Sequence, residues 1–301
     1  MAGWPARPPG SRWHAGAMSD PTAPAVTVRG LRRQYGGIAA VDGIDLDIRP
    51  GEVFALLGPN GAGKTTTVEI LEGYRHRDGG TVAVLGIDPA HPSREWRARI
   101  GIVSQSGTEA AELTAGELIA HFAKYYPQPR DPAETIEAVG LTAHAGKRLR
   151  QLSGGQRRRV DVALGIIGHP DLLFLDEPTT GFDPEARRQF WALIASLSGG
   201  GTTILLTTHY LDEAEALADR VAVISAGRIV AAGRPADLGG RATATATVSW
   251  QDGGTRRSLR TDRPTRVVAE LAAHSAGEIP GLTVTRPSLE DVYLQLIGAV
   301  R

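Results

Sequence analysis

Residues 53–65 constrain the fold more than any other stretch of the chain. Val53-Phe54-Ala55-Leu56-Leu57 is an unbroken apolar run, and it stops at Gly58-Pro59-Asn60-Gly61-Ala62-Gly63-Lys64-Thr65. A continuous apolar run of this length suits a parallel strand buried on both faces. The octapeptide fits G-x-x-x-x-G-K-[ST], and a helix is expected from about Gly63, carrying Thr66 to Glu72. Glycines let backbone N–H groups approach an anion without a Cβ in the way, and a helix N-terminus adds partial positive charge. The segment therefore reads as a phosphate loop, with Lys64 on the β- and γ-phosphates and the Thr65 hydroxyl on Mg²⁺. Taken alone it indicates a nucleoside triphosphate and does not choose among ATPases, GTPases and small-molecule kinases.

The rest of the chain alternates strand and helix patterns. Val26 to Val28 and Ile44 to Ile48 alternate apolar and polar residues, as half-buried antiparallel strands do. Thr81 to Leu85, Ile100 to Val103, Leu172 to Leu175, Thr203 to Leu206 and Val221 to Ile224 read as further strands, with helical segments separating the last three. Such alternation predicts an α/β fold with a mainly parallel core sheet and an N-terminal antiparallel β subdomain. Residues 107–168 carry helical spacing, broken by Pro127, Pro129 and Pro132, and read as an inserted helical subdomain. Residues 25–239 form the main domain on this reading. Residues 240–301 form a small α+β module, with a strand over Ala242 to Val248, a helix over Thr265 to His274, a short strand at Leu282 to Val284, and a helix over Leu289 to Ile297 capped by Ser288. Residues 1–24 are rich in Pro, Gly and Arg and read as a disordered tail. Met18-Ser19-Asp20 offers an alternative start within it.

Two further motifs carry chemistry. Leu172-Leu173-Phe174-Leu175 ends in Asp176-Glu177. A carboxylate at a strand end beside a phosphate loop is placed to hold Mg²⁺, and the next one to orient or deprotonate the attacking water. Taken alone, the pair also fits a helix N-cap or a surface carboxylate pair. Leu152-Ser153-Gly154-Gly155-Gln156 is expected to open a helix through Leu164, with the Ser153 hydroxyl and free N–H groups forming a second anion cradle. Arg157-Arg158-Arg159 on that helix reads as solvated or interfacial charge, and His169 as a loop residue.

The set of motifs resembles the ATP-binding cassette family over most of the chain, LSGGQ above all. The resemblance implies a P-loop ATPase that binds Mg·ATP with Gly58, Pro59, Asn60, Gly61, Ala62, Gly63, Lys64, Thr65 and Thr66, the last on the α-phosphate. It implies Tyr35 stacked on adenine, Gln105 reaching Mg²⁺ or water, and His209 contacting the γ-phosphate opposite Glu177. Gly181-Phe182-Asp183 matches the family's dimer-interface loop, with Phe182 where Leu is usual. It further implies a head-to-tail dimer in which Ser153, Gly154, Gly155 and Gln156 of one copy close on the phosphate loop of the other.

Basic and acidic residues balance at 33 each, so charge supplies no case for nucleic-acid binding. The absence of cysteine excludes disulfides, thiolate metal sites and a Cys nucleophile. No run approaches 18 apolar residues, so no membrane span is expected and a permease must come from another chain. Pro287-Ser288-Leu289-Glu290-Asp291-Val292-Tyr293-Leu294 is similar to the end of daunorubicin-type multidrug efflux ATPases. The expectation is an exporter ATPase, peripheral to the cytoplasmic face of the membrane, driving efflux of a drug or other amphiphile. Lipid, glycan or ion cargo would leave the same ATPase sequence. A soluble ATPase of DNA repair, chromosome structure or translation is the competing class; it lacks support because the chain has no long coiled-coil insertion and only one cassette.

Overall fold

The computed structural model describes residues 23–104, 111–274 and 277–298. Residues 1–22, with the Met18 start, lie outside the described residues, as does Gln105.

Six strands form the central sheet in the order β5-β6-β7-β3-β8-β9. They are β3 (Val53–Leu57), β5 (Ile100–Val103), β6 (Leu172–Asp176), β7 (Thr203–Thr208), β8 (Arg220–Ser225) and β9 (Arg228–Gly233). All neighbouring pairs are parallel except β8–β9, an antiparallel hairpin at the edge. Every side chain of β3 is buried, because the sheet is covered on both faces. Ala55, Leu57, Leu173, Leu175, Ile204 and Leu206 point into one apolar core, and Phe54, Leu56, Phe174 and Leu205 into the other.

The second core is roofed by a three-stranded antiparallel sheet, β2-β1-β4, built from β1 (Val26–Tyr35), β2 (Ile38–Ile48) and β4 (Gly79–Val84). The helix α1 (Lys64–Leu71) packs beneath it, with Val68, Ile70 and Leu71 buried. A short helix, α2 (Arg94–Ala98), precedes β5 and buries Trp96, whose indole N–H donates to Val84 O at 2.8 Å.

The first core is closed by α3 (Ala115–Ala123), α4 (Pro132–Ala138), α5 (Gly154–Ile166) and α6 (Pro184–Gly199). Pro132 does not break the helical segment as its sequence suggests. It is the first residue of α4, where no N–H is needed, and Asp131 caps that helix by accepting from Ala133 N and Glu134 N. Helix α7 (Leu211–Leu217) follows β7 and buries Glu213 and Ala214.

The last residues form a three-stranded sheet, β11-β10-β12, with α8 (Pro264–His274) and α9 (Leu289–Gly298). Strand β10 (Ala246–Asp252) begins four residues later than its alternation suggests, after a 3₁₀ stretch at Leu238–Thr243. Strand β11 (Thr255–Thr261) has no apolar alternation to reveal it, since its residues lie at an exposed edge; β12 spans Thr283–Thr285. Leu289 and Val292 of α9 join the first apolar core. Arg241 anchors this junction by donating to Pro287 O at 2.8 Å and pairing with Glu215 of α7.

Candidate active site

The loop between β3 and α1 wraps tightly enough that glycine is obligatory at two points. A Cβ on Gly58 would lie 2.5 Å from Ile224 O, and one on Gly63, whose φ is +104°, would lie 2.2 Å from Ala40 O. Both neighbours are backbone atoms and cannot swing aside. The loop in turn holds Lys64, which is only 5% exposed. Its ammonium donates to Gly58 O at 2.8 Å and to Pro59 O at 3.2 Å. Burial draws its pKa below the usual lysine value, opposed by the nearby carboxylates of Glu177 and Asp176. Thr65 is exposed at the helix start and Thr66 half-buried, while the third threonine, Thr67, spends its hydroxyl on Gly63 O at 2.8 Å.

Asp176 ends β6 beside β7, directly across from Thr207. The Thr207 hydroxyl donates to Asp176 Oδ1 at 2.5 Å. The next residue, Glu177, adopts a left-handed backbone with φ of +45°. That conformation costs a non-glycine residue ~1–3 kcal/mol unless its surroundings enforce it. They do: Glu177 N donates to both the carbonyl and the hydroxyl of Thr207, at 3.1 Å each. The strained turn aims the Glu177 carboxylate at His209, whose Nδ1 lies 3.3 Å from Oε2. The carboxylate is 14% and the imidazole 40% exposed, so the pair sits at a surface with its acid end sheltered. Behind His209, the Tyr210 ring lies 4.1 Å away between centroids, and the Arg187 guanidinium sits 4.8 Å from that ring. The structure thus gathers the phosphate loop, Asp176, Glu177 and His209.

It does not bring Ser153–Gln156 to them. Ser153 is the N-cap of α5 and shares a capping box with Gln156: Gln156 N donates to Ser153 Oγ at 3.2 Å, and Ser153 N donates to Gln156 Oε1 at 3.0 Å. As an acceptor in that box, the Ser153 hydroxyl keeps its proton for another group. A Cβ on Gly154 or Gly155 would meet nothing within 4 Å. Among the described residues, no hydrogen bond joins this segment to residues 58–66.

Tyr35 ends β1 with 38% of its surface exposed. Arg33 and Arg75 lie 4.8 and 5.8 Å from its ring centroid, and Arg75 donates to its hydroxyl at 3.4 Å. Burial would raise the phenol pKa, but Arg33, Arg75 and the Thr66 hydroxyl hold it below the usual tyrosine value. Phe182 is buried edge-on against Phe190 at 5.8 Å, which accounts for the larger ring, and Asp183 caps α6 through Ala186 N at 2.8 Å.

Arg158 departs from the reading of Arg157–Arg159 as solvated or interfacial charge. Arg157 is exposed, but Arg158 is buried. Its guanidinium donates to Pro178 O at 3.1 Å, to Asp176 O at 2.8 Å and to Ser104 O. It thereby ties α5 to the ends of β5 and β6. The signal was in the helical spacing: Arg158 stands one turn before Val162 on the inward stripe, with Ile166 a turn further.

A model of the ABC transporter family matches residues 41–180. Daunorubicin/doxorubicin resistance ATP-binding protein DrrA of Streptomyces peucetius is 39% identical over 306 residues, spanning 91% of this chain and 92% of the relative. The chain belongs to the ABC transporter family. This ABC ATPase is also similar to Nod factor export ATP-binding protein I of Rhizobium johnstonii, 37% identical over 298 residues with 91% of this chain and 95% of that one covered. Among solved structures, an ATP-binding subunit of an ABC transporter aligns with a TM-score of 0.65 at 25% identity, over 71% of this chain and 91% of that one. A dimeric bacterial ABC transporter cassette aligns with a TM-score of 0.63 at 24% identity, over 69% and 98%, and shows the common fold. This ABC ATPase binds and hydrolyses ATP. Among the described residues, no helix is long and apolar enough to cross a membrane.

Proposed function

We propose that this ABC ATPase works as two copies arranged head to tail, closing two ATP sites. Each site is built from residues 58–66 of one copy and 152–156 of the other. The observation that carries this reading is the open face at Ser153–Gly155. Among the described residues, its hydroxyl proton and helix-start N–H groups have no partner, and nothing fills the space its glycines leave. An anion brought by another molecule suits both features.

In this assembly Lys64 and the loop N–H groups spread the charge of the β- and γ-phosphates, and Thr66 contacts the α-phosphate. Tyr35 offers its remaining ring face to adenine. Glu177 and His209, held 3.3 Å apart, order the attacking water, with Glu177 receiving its proton. Thr65 and Asp176 give an oxygen donor set that fits Mg²⁺, which takes few protein ligands and keeps several waters. The Thr207 hydroxyl, donating to Oδ1, holds the Asp176 carboxyl in place at the end of its strand. With Gln105 they would hold the ion, which when bound neutralises phosphate charge.

Replacing Glu177 with Gln tests the assembly. ATP binding should persist, turnover should nearly vanish, and light scattering with ATP should report a dimer. A monomer at saturating ATP would refute the sandwich.

The ATPase would then drive a separately encoded permease from the cytoplasmic side of the membrane. Export of a drug or antibiotic is the favoured cargo class. Similarity to the Streptomyces peucetius daunorubicin/doxorubicin resistance protein runs through 91% of the chain. The Rhizobium johnstonii Nod factor export protein covers the same share, which keeps another exported amphiphile as the second reading. Drug accumulation in cells with and without the ATPase and its permease separates them.

A further inference from the structure

A buried polar cluster lies directly behind the paired Glu177 and His209, and no step assigned above uses it. Glu213, on α7, is completely buried. Among the described residues, neither of its carboxyl oxygens has a partner at full hydrogen-bond geometry, nor does Thr179 Oγ1 or Trp191 Nε1, and none of these atoms reaches solvent. Yet these groups face one another: the hydroxyls of Thr208 and Thr179 and the indole N–H of Trp191 surround the carboxyl. The donors are gathered, and the bonds are left open.

Where these donors come from gives the cluster its meaning. Thr179 stands two residues after Glu177, in the turn leading to Phe182. Thr208 ends β7, immediately before His209. Its Oγ1 accepts from Tyr210 N at 3.0 Å, which leaves the hydroxyl proton free to turn toward Glu213. Trp191 belongs to α6, the helix capped by Asp183 at the far end of the same turn. One carboxyl therefore stands between the segment that carries the acid and the segment that carries the imidazole. Arg187, also on α6, adds a positive charge from the side of Tyr210. Burial pushes the Glu213 carboxyl above the usual range, against the pull of these donors. Polar groups buried with bonds unmade are costly to a fold.

We propose that Glu213 is a positioning residue, tying the turn after Glu177 to the turn before His209 so that the two side chains stay opposed during hydrolysis. It touches neither nucleotide nor water. It acts through Thr179 and Thr208, and Trp191 fixes its orientation. This rests on the assignment of Glu177 and His209 to the attacking water.

The test is steady-state ATP hydrolysis by the full-length protein, with kcat and KM for ATP measured separately. Glu213→Ala should lower kcat about tenfold while KM moves less than about twofold, because the phosphate loop is untouched. Glu213→Gln keeps the size of the side chain and one acceptor oxygen, and should restore kcat to within about threefold. Thr179→Val removes one hydroxyl at nearly constant volume and should lower kcat about threefold. A purely structural role predicts instead that kcat, KM and thermal midpoint decline together, with Gln as damaging as Ala, and that pattern overturns the proposal. So does unchanged kcat in Glu213→Ala or, if that variant does not fold, in Thr179→Val. Glu177→Gln measured alongside separates the two assignments. If it loses turnover while Glu213→Ala does not, only the positioning role fails; if it keeps turnover, the site assignment falls and this proposal with it.

Discussion

Arg158→Ala should be among the most damaging single changes outside the phosphate loop. The wild-type guanidinium donates to Pro178 O at 3.1 Å, Asp176 O at 2.8 Å and Ser104 O, from a residue 9% exposed. Hydrogen bonds to a charged group contribute about 1.5–3 kcal/mol each, and removing one partner of a buried charged set costs ~3–5 kcal/mol. The low end applies. The partners are neutral carbonyls, and burying the guanidinium already works against the fold, as its lowered pKa records. A loss of about 3 kcal/mol corresponds to a fall of roughly 6–12 °C in thermal midpoint for a chain of this size. Circular dichroism during heating measures it. Arg158→Lys should fall between, since one ammonium cannot span three carbonyls. Two of these carbonyls, on Asp176 and Pro178, flank Glu177, so ATP turnover should fall with stability. A loss below about 1 kcal/mol in Arg158→Ala would refute the view that this side chain locks α5 to the ends of β5 and β6.

Two more outcomes follow from the geometry. Gly63→Ala forces a Cβ to within 2.2 Å of Ala40 O at a φ of +104°, so it should destabilise by about 2–4 kcal/mol and abolish ATP binding by calorimetry; near-normal affinity would contradict the packing. Glu72 is raised to about 8 from 4.5, first by burial and then by Asp176 and Glu69. The folded chain thus holds an extra proton between those values, so this group's share of stability is present at low pH and is lost as pH rises toward about 8. Glu72→Gln should match wild type in thermal midpoint near pH 5, exceed it above about pH 8, and flatten the slope between; an unchanged slope would exclude Glu72 as its source.

The phosphate loop, the α/β alternation and the family were legible in the sequence because each depends on local order. A glycine pattern between an apolar strand and a helix is a property of adjacent residues, and so is a capping box such as Ser153–Gln156. Exposed elements left no such mark. The edge strand β11 buries no face and therefore shows no alternation, and its neighbour β10 was misplaced by the 3₁₀ turn before it.

By itself, then, the sequence determined which residues would meet phosphate, since their backbone conformation is written in their neighbours. Only the tertiary structure decided how the carboxylate and the imidazole come to face each other. That pairing rests on Thr207, from one strand, bonding Glu177, at the end of another, and on Arg158 reaching in from a helix. Such contacts join residues up to 54 positions apart in the chain, as Arg158 and Ser104 are, and no local pattern specifies them.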